Sequence, residues 1–229
     1  MVWLTTLLLT PQAVSFVNAD AARKLLGPLA RLYLKMVGIH LDVRGVAGHP
    51  SSCVLVCNHC STLDSLVLCA AWPTPLTFMV APWVSEHPGL KLLISKLGHV
   101  AVHRGDPEAA ARQEEEMIQK LSDGESLAVF PEGGFEVTPG LRPFALGAFQ
   151  LAAKAEVPII PVALQGTRQA QPSSRVVPYK VPIMASFGPP MEAEGSSWES
   201  VLSLSQDVRS WIAAHCGDPL SHRRLRRND

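Results

Sequence analysis

The stretch Cys53-Val54-Leu55-Val56-Cys57-Asn58-His59-Cys60-Ser61-Thr62-Leu63-Asp64 decides how the chain is read. An apolar run typical of a buried strand passes straight into Asn-His, and an apolar helical stretch, Leu63 to Ala71, opens around Asp64. Open α/β sheets collect functional groups where strands hand over to helices at their carboxyl ends, and His59 stands at such a handover. A histidine acting as a base needs a partner on its second ring nitrogen to fix the tautomer. Asp64 is the candidate partner. Residues five apart on one helix are separated by about 140°, so the two meet only if His59 lies in the turn and Asp64 on the following helix. Spacing alone fits equally an aspartate capping a helix and a histidine lining a turn.

Outward from this segment the pattern alternates. Strands are predicted at Leu41 to Arg44, Cys53 to Cys57, Leu76 to Val80, Val100 to His103, Leu127 to Phe130, Ile159 to Leu164 and Val181 to Phe187. Helices are predicted at Leu63 to Ala71, within Trp83 to Leu97, and at Pro107 to Ser122, Phe144 to Ala153 and Trp198 to Ala214. The alternation predicts an α/β fold, a single-domain mixed sheet flanked by helices, over residues 39–229. Residues 1–38 read as a separate N-terminal unit. Val2 to Leu9 is apolar but too short to span a bilayer, and Asp20 is placed to cap a helix running to Gly38. That helix carries Leu25, Leu29, Leu32 and Met36 on one face and Lys24, Arg31 and Lys35 away from it, the pattern of a membrane-associating segment. Gly27-Pro28 is expected to kink or split it. The basic run from His222 to Arg227 is either a frayed end or a second lipid contact.

Lys plus Arg equals Asp plus Glu at 20 each, which leaves no overall charge to draw nucleic acid. With 47% apolar and 17% charged residues the chain is not disordered, and its sparsely charged surface suits contact with lipid. Five cysteines give no disulfide framework and point to a reducing compartment. Cys57, His59 and Cys60 lack the paired spacing of a zinc site, so no metal is expected.

Two further strand exits carry polar groups. Phe130-Pro131-Glu132-Gly133-Gly134 sets a glutamate, expected at the rim, beside glycines that let a ligand approach the backbone. Gly98 to Asp106 ends a strand at Arg104, just before a helix opening at Pro107; guanidinium and helix dipole could converge there on a phosphate.

Taken in order, these segments resemble the glycerolipid acyltransferase family. Asn58, His59 and Asp64 match its Asn-His-x4-Asp, and Gly98 to Arg104 its Gly-x5-Arg. Phe130 to Gly133 match its Phe-Pro-Glu-Gly, and Val157 to Val162 its Val-Pro-Ile-x-Pro-Val. The resemblance runs from about Asp42 to Leu164 and implies an O-acyltransferase, with residues 39–229 as its domain; with the amphipathic helix before it, the protein is expected to be membrane-associated on the cytoplasmic face. Acyl-CoA or acyl-carrier protein would be the donor, a lyso-lipid the acceptor, and no cofactor is implied. His59 would be the general base with Asp64 behind it. Asn58, Arg104, Glu132, Gly133, Gly134 and Arg142 would serve substrate binding. Backbone donors near the Asn58 turn or at Leu63 are expected to meet the developing oxyanion.

The chain departs from the family at two places. Gly134, Phe135 and Glu136 stand where Thr or Ser and often Arg are usual, and Phe144-Ala145-Leu146-Gly147 lacks the customary lysine, for which Arg142 is the nearby substitute. The acceptor therefore stays open between lysophosphatidic acid, the first expectation, and a different lyso-lipid or amino-acid lipid. Two rivals remain: a hydrolase using Ser61 or a cysteine, although no Gly-x-Ser-x-Gly elbow exists, and a catalytically silent lipid-binding member of the same fold.

Overall fold

The computed structural model describes residues 18–48, 50–80, 94–101, 107–134, 138–172 and 177–221. The apolar segment Val2 to Leu9, most of the predicted helix within Trp83 to Leu97, His103, Arg104 and the basic run after Ser221 lie outside the described residues.

Among the described residues seven strands form one mixed sheet: β1 (Leu41–Arg44), β2 (Val54–Cys57), β3 (Leu76–Val80), β4 (Val100–Ala101), β5 (Ser126–Val129), β6 (Ile159–Gln165) and β7 (Ile183–Phe187), in the order β1-β7-β6-β2-β5-β3-β4. All neighbours run parallel except β6 and β7, which pair antiparallel with Val162 opposite Phe187. Helices α1 (Ala19–Met36), α2 (Asp64–Ala71), α3 (Pro107–Ser122), α4 (Gly147–Lys154), α5 (Thr167–Ala170) and α6 (Trp198–Cys216) complete the described elements.

The sheet separates two apolar layers, and the central strand shows why its sequence is continuously apolar. Cys53, Leu55 and Cys57 face one layer with Ala30 and Leu34 of α1 and Leu68 of α2. Val54 and Val56 face the other, with Phe149 of α4 and Val208 and Ile212 of α6. Every residue from Cys53 to Cys57 is fully buried, as a parallel strand covered on both sides requires.

The N-terminal helix corrects two expectations. Its cap is Asn18, whose side chain accepts from the Asp20 N–H at 3.0 Å, rather than Asp20. Pro28 lies inside one continuous helix, so the chain is not split there. Packing holds the two halves together: Gly27 lies so close to α2 that a Cβ would stand 3.0 Å from the Cys69 carbonyl oxygen, and Arg31 Nε donates to the Ala70 carbonyl at 2.7 Å. A forked pair from Arg23 to Glu125, with Nη1 to Oε1 at 2.9 Å, and a bond to Thr77 fasten the helix to the start of β5 and β3. Finally, Leu25, Leu29, Leu32 and Met36 do not pack on the core. They are 49%, 56%, 51% and 69% exposed, while Ala30 and Leu34 face the sheet. Among the described residues no helix is long and apolar enough to cross a membrane.

Candidate active site

Strands β6, β2 and β5 lie side by side and parallel, so the segments leaving their carboxyl ends meet above the middle of the sheet. His59 leaves β2, Glu132 leaves β5, and Arg168 leaves β6.

The turn after β2 brings His59 to Asp64 at the first residue of α2, with Nδ1 and Oδ2 2.8 Å apart. The same oxygen accepts from the N–H groups of Cys60 at 2.6 Å and Ser61 at 2.8 Å. Asp64 is fully buried, so its carboxylate is spent on shaping the turn and fixing the imidazole rather than on solvent. The Phe130 ring stacks on His59, with centroids 4.1 Å apart and planes 16° from parallel. The ring is thus set by one hydrogen bond at its edge and one apolar surface on its face.

Asn58, expected to meet substrate, does something else. It is 1% exposed, and its amide pairs with both main-chain groups of Leu164, accepting from N–H at 2.8 Å and donating to C=O at 3.0 Å. The β2–β6 ladder ends at Cys57 opposite Val162, and the Asn58 side chain adds one more rung in place of a peptide.

Glu132 is likewise turned inward, not presented at the rim. One carboxylate oxygen accepts from the His59 N–H at 2.8 Å and the other from the Arg142 N–H at 2.9 Å, with Arg142 Nε 3.5 Å away. Burial pushes the carboxyl above its ordinary value, while the hydrogen bonds from Arg142 and His59 pull the other way. The buried guanidinium of Arg142 and the main-chain N–H of His59 both meet an anion here, which is why the side chain points in. Gly133, at φ 79°, and Gly134 turn the chain back, and the Gly134 carbonyl accepts from Arg142. Arg142 is 4% exposed.

The turn's backbone donors are committed as well. The N–H of His59 serves Glu132, those of Cys60 and Ser61 serve Asp64, and that of Leu63 donates to Ser61 Oγ at 3.2 Å. The expected oxyanion site in these four groups is therefore corrected: their hydrogens shape the turn.

A cavity of about 40 Å³ opens on His59, lined also by Thr138, Gly140, Arg142, Arg168 and Ser221. The larger groove of about 470 Å³ beside Arg31, Lys35 and His40 contains neither His59 nor Asp64. Arg168 escaped the sequence reading. It follows Gly166, which takes φ 87° where a Cβ would stand 2.4 Å from the Pro182 carbonyl oxygen, so the turn fixes where the arginine emerges. The signal was available, since Gly166-Thr167-Arg168 repeats the logic of a polar group at a strand exit. Phe130 could also have been read as a residue touching the site, being part of the same quoted block. Arg104 lies outside the described residues.

Two alternative nucleophiles, Ser61 and the half-buried Cys60, lie in the same turn. Ser61 is fully buried and donates to the Gln171 carbonyl at 2.8 Å. Burial and the nearby Asp64 raise the Cys60 thiol well above its ordinary value, leaving it protonated at neutral pH.

The profile of the Acyltransferase family matches residues 40–165. The chain is 27% identical over 183 residues to the 1-acyl-sn-glycerol-3-phosphate acyltransferase of Pseudomonas aeruginosa, covering 78% of this chain and 69% of that protein. It is 33% identical over 135 residues to the chloroplastic 1-acyl-sn-glycerol-3-phosphate acyltransferase BAT2 of Brassica napus, covering 58% of this chain and 39% of that one. The crystal structure of the 1-acyl-sn-glycerophosphate acyltransferase PlsC from Thermotoga maritima superposes with a TM-score of 0.70 at 22% identity, over 86% of this chain and 80% of that one. The solved structure shares the mixed sheet and its flanking helices, and the family profile spans the strands that carry His59, Asp64 and Glu132: the chain belongs to the Acyltransferase family.

Proposed function

We propose that this acyltransferase moves a fatty acyl group from an acyl thioester, acyl-CoA or acyl-carrier protein, to the free hydroxyl of 1-acylglycerol 3-phosphate at the cytoplasmic face of a membrane. The observation that carries the reading is the His59–Asp64 contact at the exit of the central strand, beside a cavity that also holds two guanidinium groups. With Nδ1 committed to Asp64, Nε2 is the nitrogen that takes a proton. It removes the acceptor's hydroxyl proton as the oxygen attacks the thioester carbonyl. The tetrahedral adduct then collapses, the carbon–sulfur bond breaks, and the imidazolium returns the proton to the departing thiolate. No covalent acyl-enzyme and no cofactor enter the scheme. Acceptors bearing a phosphate are favoured because Arg142 and Arg168 line the cavity and guanidinium groups hold phosphate oxygens well.

Attachment to lipid rests on α1. Its exposed leucines and Met36 form an apolar ridge pointing away from the sheet, and Lys24 and Lys35 flank it. Such a face lies in the interface between headgroups and acyl chains.

The test is release of free thiol from long-chain acyl-CoA by the purified protein, with and without 1-acylglycerol 3-phosphate. Release that depends on the acceptor and falls by a factor of about 10² to 10⁴ in folded His59→Ala is expected. Release without acceptor would make the protein a hydrolase, and none with any lyso-lipid a silent binder.

A further inference from the structure

The cavity beside His59 is closed on one side by the chain's own C-terminal segment. Helix α6 ends at Gly217, in the left-handed conformation, and residues 218–221 then run along Leu141. Leu141 N–H donates to the Pro219 carbonyl at 2.8 Å, and Ser221 N–H to the Leu141 carbonyl at 2.9 Å. Arg209 ties the two together, donating to the carbonyls of Leu141 at 2.9 Å and Ser221 at 2.8 Å. The segment thereby sets Asp218 against Arg168, with 2.8 Å between carboxylate and guanidinium. Arg168 also lies 3.4 Å from the sulfur of Cys60, the residue next to His59.

Three features of this pair bear on its role. It is partly open, with side chains 17% and 20% exposed, whereas the other ion pair at the cavity, Arg142 with Glu132, is 5% and 2% exposed. It sits where an anion would bind, since Arg168 lines the cavity together with His59. And about 40 Å³ is room for little more than water, far less than a glycerophosphate group needs, so something must withdraw before an acceptor enters. The wall built from residues 218–221 lies outside the sheet, held by main-chain bonds to Leu141 and by the contacts of Arg209 and Arg168, with Leu220 54% exposed, so it can open without breaking a strand pairing.

We propose that Asp218 holds, on Arg168, the place of the acceptor's phosphate, and that acceptor binding exchanges this internal carboxylate for the phosphate while residues 218–221 swing away from Leu141 about Gly217. Arg168 is then the residue that selects a phosphorylated acceptor, and Asp218 is an internal competitor. A phosphate monoester carries about 1.5 to 2 negative charges at neutral pH against one for the carboxylate, which favours the exchange. An acceptor without phosphate cannot displace Asp218 and meets a closed cavity. This inference rests on the phosphorylated acceptor proposed above.

The experiment compares wild type, Arg168→Ala, Arg168→Lys and Asp218→Asn, all checked for folding by thermal unfolding. It measures KM for 1-acylglycerol 3-phosphate, for 1-acylglycerol and for acyl-CoA. Arg168→Ala is expected to raise KM for the phosphorylated acceptor about ten- to a hundredfold and Arg168→Lys by less, with KM for acyl-CoA unchanged. Asp218→Asn is expected to lower the same KM several-fold, because the competitor has lost its charge. The opposite signs are the signature of exchange. If Asp218→Asn raises KM as Arg168→Ala does, the pair is a scaffold and the proposal is overturned. A readout without variants is hydrogen exchange in the wild type: saturating glycerol 3-phosphate should accelerate exchange at the Leu141 and Ser221 amides, and slower or unchanged exchange there overturns the swing. Should the wild type acylate 1-acylglycerol but not its phosphate, the acceptor reading and this inference fall together. If it acylates the phosphate and the signs coincide, only the exchange falls.

Discussion

Glu132 and His59, 73 residues apart, are joined by a 2.8 Å hydrogen bond from the histidine's main-chain N–H to the glutamate's carboxylate. The carboxylate serves two N–H donors, one on each oxygen. Glu132→Gln keeps one acceptor and turns the other into an NH2 group facing a donor. The expected result is a loss of about 1–3 kcal/mol in unfolding free energy. The loss in kcat should be shared by every acceptor, with little change in acceptor KM. Kinetics with two different lyso-lipids check this, and an effect confined to acceptor KM would return Glu132 to the rim of the site.

Asn58→Ala strips the extra rung between β2 and β6, leaving the N–H and C=O of Leu164 buried without that partner. A cost of about 2–4 kcal/mol is expected, read as a lower midpoint of urea unfolding. Activity should fall with it, since the amide also fixes where the turn to His59 begins. A variant as stable as wild type but impaired only in acceptor binding would contradict the clamp.

Acid sensitivity is expected from His99. Burial, then the charges of Arg23 and Lys120, lower its pKa to about 4, and its Nδ1 accepts from the Phe78 N–H at 3.3 Å, a bond that protonation breaks. In the unfolded chain the group titrates near 6.5, so below that pH the unfolded state binds the extra proton. Its contribution is fully present above about 6.5 and is lost as pH falls toward 4, by up to about 3 kcal/mol. Glu125, whose carboxyl Arg23 holds below its ordinary value, acts in the same direction at lower pH. Urea unfolding between pH 7 and 4.5 should show the decline, and His99→Gln should flatten its upper part.

Binding to vesicles containing anionic lipid should depend on both sides of the exposed ridge. Each basic residue near such a surface contributes about 1 kcal/mol, so Lys24→Glu with Lys35→Glu should weaken sedimentation strongly, and added salt should mimic it. Leu29→Ser with Leu32→Ser should weaken it in a salt-independent way. Arg31 is excluded from the charge reversal because its Nε holds the Ala70 carbonyl. Unchanged binding by both double variants would move attachment away from α1.

The elements with a strong local pattern were legible. Leu41–Arg44, Leu76–Val80 and Pro107–Ser122 fall where alternation and proline placement put them. The His59–Asp64 contact followed from requiring a turn between them. The direction of buried polar side chains was not legible, because Asn58 and Glu132 are oriented by partners at Leu164 and Arg142, distant in sequence. Periodicity located the apolar face of α1 but not what covers it. The inward face is built from small and mixed residues around Ala30 and Leu34, and only the packed structure shows that the leucine ridge looks outward. The continuity of α1 through Pro28 is likewise a tertiary effect, supplied by its close fit to α2.

The pairing of β1 with β7 has a consequence for how the protein is made. Among the described residues Leu41 finds its strand neighbour at Ile183, more than a hundred residues later. A ribosome therefore releases the N-terminal helix, its apolar ridge and an unpaired edge strand long before the strand that closes them is synthesised. The nascent chain is exposed to self-association throughout that interval, and a lipid surface within reach of the ridge would act as its chaperone.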